Sequence, residues 1–303
     1  MKCDKYSEID LCKCPHILIG GSTGSGKSYL MKSLLCDVLA SEECRVLVVD
    51  PKCVDYRFLL RGTKSYAGRS GLRYEFTNGK LLYGGTDETL RWDGRWKVSN
   101  IVQEDYEVKS MWSRRGIDLL DRDDIESGYV GRFLGSVVEE MSSRYKYMRE
   151  YGYVDWSEVL GECKAESGDI WDSIDSGDGE GVFTRHRIVV VVDELADLIY
   201  WDRDRQRVVE GEISRESLGV IESMLVKIAT LGRAAGIHLI LGTQRPDASV
   251  LSGQLRANIP SRICLKVVNN MERRIILGDS CRDLGERVLF YNGEYKELVR
   301  ELK

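Results

Sequence analysis

The chain has 303 residues, 43% of them hydrophobic and 31% charged, with a formal net charge of −5. Such a composition excludes a disordered or collagen-like chain. The longest aliphatic run, residues 188–192, falls far short of the roughly 18 apolar residues of a membrane-spanning helix. The first ten residues are charged and lack the apolar stretch of a signal peptide, so the sequence reads as intracellular, in the cytoplasm.

In chain order, short apolar runs alternate with helical patterns. Residues 16–20 (HILIG) read as a strand, 27–40 as a helix and 45–50 (RVLVVD) as a second strand. A break in the rhythm follows at 72–102. There Asn78-Gly79 and Asp93-Gly94 are flanked by aromatic and aliphatic residues, and such pairs supply the positive φ angles of tight hairpins. The reading is a small antiparallel β meander inserted in the core. Trp92 and Trp96 either pack its own interior, the favoured reading, or form a binding face. Residues 129–151 have helical spacing, with Val137, Val138, Met141, Tyr145 and Met148 on one face.

Residues 151–180 hold nine acids and one base, so the rest of the chain is net positive by three. An acidic segment can coexist with a basic site elsewhere. With its Gly, Ser and Asp content, 152–184 reads as a flexible loop. Residues 187–193 (RIVVVVD) form a β-branched run without alternation, as in a sheet covered on both faces. A helix at 218–235 and strands at 237–243 (IHLILGT) and 262–268 (RICLKVV) complete the pattern. The β-α-β rhythm specifies an α/β fold with a mostly parallel central sheet flanked by helices.

Nine cysteines without a secretory signal read as reduced thiols, several in core positions. Cys3, Cys12 and Cys14 are near His16, but no second Cys or His pair follows at a zinc spacing.

Two segments carry chemistry. Gly21-Ser22-Thr23-Gly24-Ser25-Gly26-Lys27-Ser28 satisfies G-x-x-x-x-G-K-[ST] between a strand and a helix. The glycines let backbone N–H groups curl around phosphate oxygens, and the helix N-terminus adds a partial positive charge. Lys27 would reach the β- and γ-phosphates of ATP, and Ser28 would hold Mg²⁺. Asp193-Glu194 ends the most apolar strand. Asp193 would complete the Mg²⁺ shell and Glu194 would polarise an attacking water. A carboxylate pair at a strand end could otherwise be a simple cap.

Further segments resemble the FtsK/SpoIIIE-type hexameric DNA translocases. They are Val49-Asp50-Pro51-Lys52, Glu139-Glu140-Met141-Ser142-Ser143-Arg144-Tyr145, and Asp193-Glu194-Leu195-Ala196-Asp197. They continue through Gly232-Arg233-Ala234-Ala235-Gly236-Ile237-His238-Leu239, Gly242-Thr243-Gln244-Arg245-Pro246 and Ala257-Asn258-Ile259-Pro260-Ser261-Arg262. The resemblance implies a single RecA-like ATPase domain over 1–303, an ATP-driven hydrolase that moves double-stranded DNA through a homo-hexamer. It implies that Arg233 is an arginine finger for the neighbouring subunit's nucleotide and that Gln244 senses the γ-phosphate. It places Arg245, Arg256 and Arg274 against the DNA backbone in the pore. Three arginines per chain would put roughly eighteen positive charges around a sixfold axis.

The sequence departs from the family at Gly285-Glu286-Arg287-Val288-Leu289-Phe290-Tyr291, where relatives carry a Gly-rich turn, and at Asn270, where they carry a base. With one module and neither a winged-helix module nor a membrane anchor, the reading is a stripped-down motor for transfer or segregation of a mobile element, with an unidentified anchoring or DNA-loading partner. Two alternatives stay open: a type VII-like protein-secretion ATPase and a non-motor ATP-binding adaptor.

Overall fold

The computed structural model describes residues 15–39, 44–52, 56, 116–120, 122–126, 128–167, 186–210, 219–278, 288–291 and 294–297, together with short strands at 2–3, 6–10, 64–67, 73–77, 80–84, 89–90, 97–99, 174–175 and 182–183. The central sheet consists of β1 (His16–Gly20), β2 (Cys44–Val49), β3 (Lys97–Ser99), β4 (Gly116–Leu120), β5 (Arg187–Val192), β6 (Ile237–Thr243), β7 (Ser261–Cys264), β8 (Val288–Tyr291) and β9 (Glu294–Glu297). Its order is β9-β8-β7-β1-β6-β5-β2-β4-β3. The strands from β7 to β3 are parallel, and the last two pair antiparallel.

The helices are α1 (Lys27–Leu39), α2 (Arg122–Glu126), α3 (Tyr129–Tyr151), α4 (Trp156–Ser167), α5 (Leu195–Glu210), α6 (Val220–Leu231), α7 (Gly253–Ala257) and α8 (Asn270–Leu277). Every residue of β5 is buried, which is why its sequence shows no polar alternation. Successive strand residues point to opposite faces. Ile188, Val190, Val192, Leu239 and Leu241 pack with Val137 and Met141 of α3, Leu198 of α5 and Leu225 of α6. Val189, Val191 and Ile240 are equally buried but face the other side. There a Cβ on Gly242 would lie 2.4 Å from Met31 Sδ of α1, which places α1 on that face. Each such apolar side chain contributes about 1.5–3 kcal/mol when fully buried.

Two expectations need correction. The acidic segment 152–184 is not a continuous loop: it contains α4 and two paired short strands, Ile174–Asp175 and Val182–Phe183. The Asp155 carboxylate accepts from the Ser157 and Glu158 amides, and Glu158 accepts from the Val154 amide. This is a variant of the capping box in which Glu158 reaches the amide before the N-cap, and its D-x-x-E spacing is legible in the sequence. Trp156, Val159 and Leu160, at helical spacing, are buried in a small cluster with Met148. Local acidity indicated solvation of one face, not absence of the helix.

The second correction concerns the insert at 72–102. A separate antiparallel sheet runs from Lys64 to Leu90 as four strands, with Arg73–Thr77 and Lys80–Gly84 paired around Asn78-Gly79. The residues 97–99 do not close a second hairpin. They pair in parallel with β4 at the edge of the central sheet, where a free edge was available for pairing. Trp92, Trp96 and the Asp93-Gly94 turn lie outside the described residues, as do Cys12, Cys14 and 279–287.

Candidate nucleotide site

The chain leaves β1 at Gly20 and turns through the glycine-rich segment into α1. Gly24 and Gly26 have φ of +79° and +93°, left-handed values that a side chain would oppose. The Gly21 amide donates to the Thr243 carbonyl at 3.1 Å and the Ser22 amide to the Lys266 carbonyl at 2.8 Å. The first half of the loop is thus fixed to the strands on either side of β1. The helix that follows directs its unbonded amides into the concavity of the loop.

Lys27 opens α1 and is nearly fully buried. Its Nζ donates to Asp193 Oδ1 at 3.0 Å and also to the Asp193 backbone carbonyl. This pairing crosses the sheet, because β6 lies between β1 and β5. Gly242 makes the crossing possible. A Cβ there would lie 2.4 Å from Met31 Sδ and 2.6 Å from the Asp193 carbonyl oxygen. The strand between the two halves of the site therefore has no side chain where they meet.

The Asp193 carboxylate is fully buried. Its Oδ1 also receives Tyr56 Oη at 3.4 Å, while Oδ2 has no hydrogen-bond partner among the described residues. An orphaned buried carboxylate oxygen is costly, and it fits the donor expected of a Mg²⁺ shell. Ser28, beside Lys27 at the helix start, supplies a hydroxyl of the right chemistry.

Glu194 is held separately. The Thr243 hydroxyl donates to its Oε1 at 2.9 Å, and the Gln244 amide donates to Oε1 at 3.1 Å and Oε2 at 3.0 Å. Lys52 Nζ is 4.0 Å from Oε2. The Gln244 side chain in turn accepts from the Thr23 hydroxyl of the loop at 2.8 Å. The end of β6 thus joins the glycine-rich loop to the carboxylate. Thr243, Lys52 and Tyr56 were not singled out as site residues in the sequence. Asp50-Pro51-Lys52 and Gly242-Thr243-Gln244 carried a signal as motifs, but nothing local marks Tyr56, which acts across a turn.

Arg233 is not in this cluster. It is exposed in the turn between α6 and β6, at the opposite end of β6 from Gln244. Seven residues of parallel strand span roughly 20 Å, beyond the reach of an arginine side chain. Arg245 is exposed directly after Gln244, and its amide donates to Thr243 Oγ1 at 3.0 Å. Arg256 on α7 is half-buried, with Nη1 donating to the Ile275 carbonyl of α8 at 3.2 Å. Arg274 is half-buried on α8. The structure joins α7 to α8, so Arg256 and Arg274 lie on connected elements while Arg245 leaves from a separate turn.

His16 is a structural residue. It is buried in β1, its Nδ1 accepts from the Leu239 amide at 3.2 Å, and burial pushes its pKa down to about 3. No group of three or more metal-ligating side chains occurs among the described residues. No helix among them is long and apolar enough to cross a membrane.

The FtsK/SpoIIIE family model matches residues 121–248, and a model of the HerA helicase central domain matches 8–79. A DNA translocase FtsK from Rickettsia prowazekii (strain Madrid E) is 26% identical over 313 residues, covering 96% of this chain and 32% of its own length. A DNA translocase FtsK from Bradyrhizobium diazoefficiens is 27% identical, covering 89% of this chain and 27% of its own. The chain thus spans about a third of the length of these curated relatives. Among solved structures, the pCW3 conjugation coupling protein TcpA with ATPγS is 25% identical with a TM-score of 0.57, covering 95% of this chain and 60% of that one. A glycine-rich loop, a paired Lys27–Asp193 and a seated Glu194 on this sheet order accompany the match of residues 121–248 to the FtsK/SpoIIIE family, and the chain is similar to the DNA translocases of that family over most of its length.

Proposed function

We propose that the chain is the motor core of an ATP-driven double-stranded DNA translocase working as a homo-hexamer. The observation that carries this reading is the separation of Arg233 from the Lys27–Asp193–Glu194 cluster along one strand. An arginine displayed at the far end of the sheet serves a nucleotide only on a neighbouring copy, and a ring supplies that neighbour at every site.

The steps follow from the residues. The loop 21–28 cradles the α- and β-phosphates through its backbone amides. Lys27 exchanges the Asp193 oxygens for phosphate oxygens, and Asp193 and Ser28 would hold Mg²⁺. When bound, Mg²⁺ neutralises charge on the phosphates. Glu194 orients the attacking water and accepts its proton, and Gln244 reports the γ-phosphate along β6. The neighbour's Arg233 neutralises the transferring phosphoryl group, an effect of about 10³–10⁵ in rate. Hydrolysis is coupled to DNA through Arg245, the residue after Gln244, with Arg256 and Arg274 as further phosphate contacts. Contacts of this kind carry little sequence preference and weaken steeply with salt.

Transfer or segregation of a mobile element, with an anchoring or loading partner, is the biological setting this reading favours. It draws on the likeness to a conjugation coupling protein. The test is the steady-state ATPase rate with and without linear duplex DNA at low and moderate salt, for the wild type, Glu194→Gln and the double variant Arg245→Ala/Arg274→Ala. Stimulation by any duplex sequence, abolished by the first change and weakened by the second, is the expected outcome. A confirmed hexamer whose rate ignores DNA overturns it and directs attention to polypeptide substrates.

A further inference from the structure

The turn that carries Arg233 is short and bounded by glycines. Gly236 sits at φ +67°, and a Cβ on Gly232 would lie 2.6 Å from the carbonyl oxygens of both Ile228 and Ile237. The last carbonyls of α6 have no partner within their own helix. The turn closes on itself through the Gly236 amide, which donates to the Arg233 carbonyl at 3.2 Å, and the Ile237 amide, which donates to the Gly232 carbonyl at 2.8 Å. Its remaining backbone carbonyls are tied to α3 and α4, which set where the closed turn stands.

We infer that Arg144 and Tyr145, consecutive residues of α3, are positioning residues for Arg233, clamping the turn at both shoulders. This inference rests on the reading of Arg233 as a group acting on a neighbouring subunit's nucleotide. Tyr145 Oη donates to the Leu231 carbonyl at 2.6 Å. Arg144 Nη1 donates to the Ala235 carbonyl at 2.8 Å. Leu231 and Ala235 each lie two residues from Arg233, one on either side. Successive helix residues diverge by about 100°, so neighbours on α3 can straddle the turn.

The clamp is itself braced. Arg144 has no exposed surface. Its Nη2 donates to the His186 carbonyl just before β5, and its Nε to Glu140 Oε1, both at 2.8 Å. The guanidinium lies 4.4 Å from the Trp156 ring centroid. The Trp156 amide donates to the Ala234 carbonyl at 2.8 Å, and its indole packs where a Cβ on Gly236 would stand, 2.9 Å from Cδ1. Every residue of the turn next to Arg233 on its C-terminal side is therefore touched by one tightly packed unit.

Filling this space would not need a charge. A buried guanidinium is costly to desolvate, and an apolar residue of similar volume often stabilises a fold as well or better. What only a planar, rigid donor fork supplies is fixed geometry between two carbonyls on different elements. A group that must meet a developing charge on another subunit gains from such preorganisation, because it need not be ordered at the moment of reaction. Arg233 itself is exposed and free to engage a neighbour, while its backbone is held.

The test measures ATPase kcat and KM of the DNA-stimulated assembly for Arg144→Met and Tyr145→Phe, with Arg233→Ala as reference. It then mixes each variant in equal amount with Glu194→Gln protein. The expected result is a fall in kcat of about 30–100-fold for Arg144→Met and about 3–10-fold for Tyr145→Phe, with KM for ATP unchanged. The Arg144→Met mixture with Glu194→Gln regains about 8- to 25-fold over Arg144→Met alone, because random assembly into a ring makes about a quarter of all sites productive pairs. In it, the intact nucleotide site of an Arg144→Met subunit meets the well-held Arg233 of its Glu194→Gln neighbour. A merely structural role would not produce recovery between subunits.

Wild-type kcat in both variants, or a loss confined to KM, overturns the inference. So does failure of the Arg144→Met mixture to recover while the Arg233→Ala mixture does. If Arg233→Ala keeps the wild-type rate, the neighbour-acting reading falls, and that result is seen in the reference arm alone. If Arg144→Met does not fold, Tyr145→Phe carries the test: a fall in kcat with KM for ATP unchanged is then required, and a wild-type kcat or a loss confined to KM overturns the inference.

Discussion

The two ends of the central sheet solve opposite problems. At the C-terminal end of the parallel strands, the glycine-rich loop, Lys27, Asp193 and Glu194 form a site whose internal bonds can be exchanged. Lys27 is satisfied by Asp193, yet phosphate oxygens are stronger partners for it. At the N-terminal end, Arg144 makes hydrogen bonds to two carbonyls and a carboxylate with no exposed surface, and nothing there is arranged to let go. On the proposed reading, one end changes partners with each nucleotide and the other holds the exposed Arg233 in place. The lesson is that a buried charge can serve as a hinge of chemistry or as a rivet, depending on whether a better partner can reach it.

The largest expected effect tests whether the two ends belong to one catalytic cycle. Arg233→Ala should lower DNA-stimulated ATP turnover by about 10³-fold or more and leave nucleotide affinity near wild type, as read by steady-state kinetics and equilibrium binding. A loss of affinity instead would place Arg233 in its own subunit's site and break the comparison.

The next effect sharpens the account of the exchanging end. Gly242→Ala puts a methyl group between Met31 and the Asp193 carbonyl, in a core where overpacking costs about 1–3 kcal/mol. Nucleotide affinity should fall by about tenfold or more as Lys27 and Asp193 are forced apart, while the helical circular dichroism is kept. Unchanged affinity would show that the crossing over β6 does not depend on that glycine.

The smallest effect concerns the fixed end. His16, with a folded-state pKa near 3, is neutral in the folded chain and takes up a proton more readily when unfolded, near pH 6.5. Its contribution is therefore complete above about pH 6.5 and declines as pH falls toward 3. The loss is about 2 kcal/mol by pH 5 on the scale of 1.4 kcal/mol per pH unit. His238, paired to the Pro15 carbonyl and pushed down by burial and by His16, has the same sign. Denaturant titrations at pH 7.5 and 5.0 should show a shallower pH dependence for His16→Asn, whose side-chain oxygen can still accept from the Leu239 amide. An unaltered slope would remove His16 from the acid sensitivity.

Much of this molecule is written in local pattern. The β-branched run of β5, the G-x-x-x-x-G-K-S loop and the helical face of α3 each follow from the stereochemistry of a few neighbouring residues, so the sequence alone placed the strands, the phosphate loop and the acidic pair at a strand end. It misread α4, where acidic and small residues outweighed the spacing of Trp156, Val159 and Leu160. It also set residues 97–99 in a hairpin, although their partner is β4. Both errors have one cause: burial of an apolar face and capture of a sheet edge are decided by what lies opposite, and that is absent from local spacing. Tertiary structure alone decided that Gly242 opens the path between Lys27 and Asp193, that Thr243 and Gln244 seat Glu194, and that Arg233 stands a full strand from its own nucleotide site. Residues far apart in the chain meet there because the parallel order β1-β6-β5 brings them together, and strand order is a property of the packed sheet.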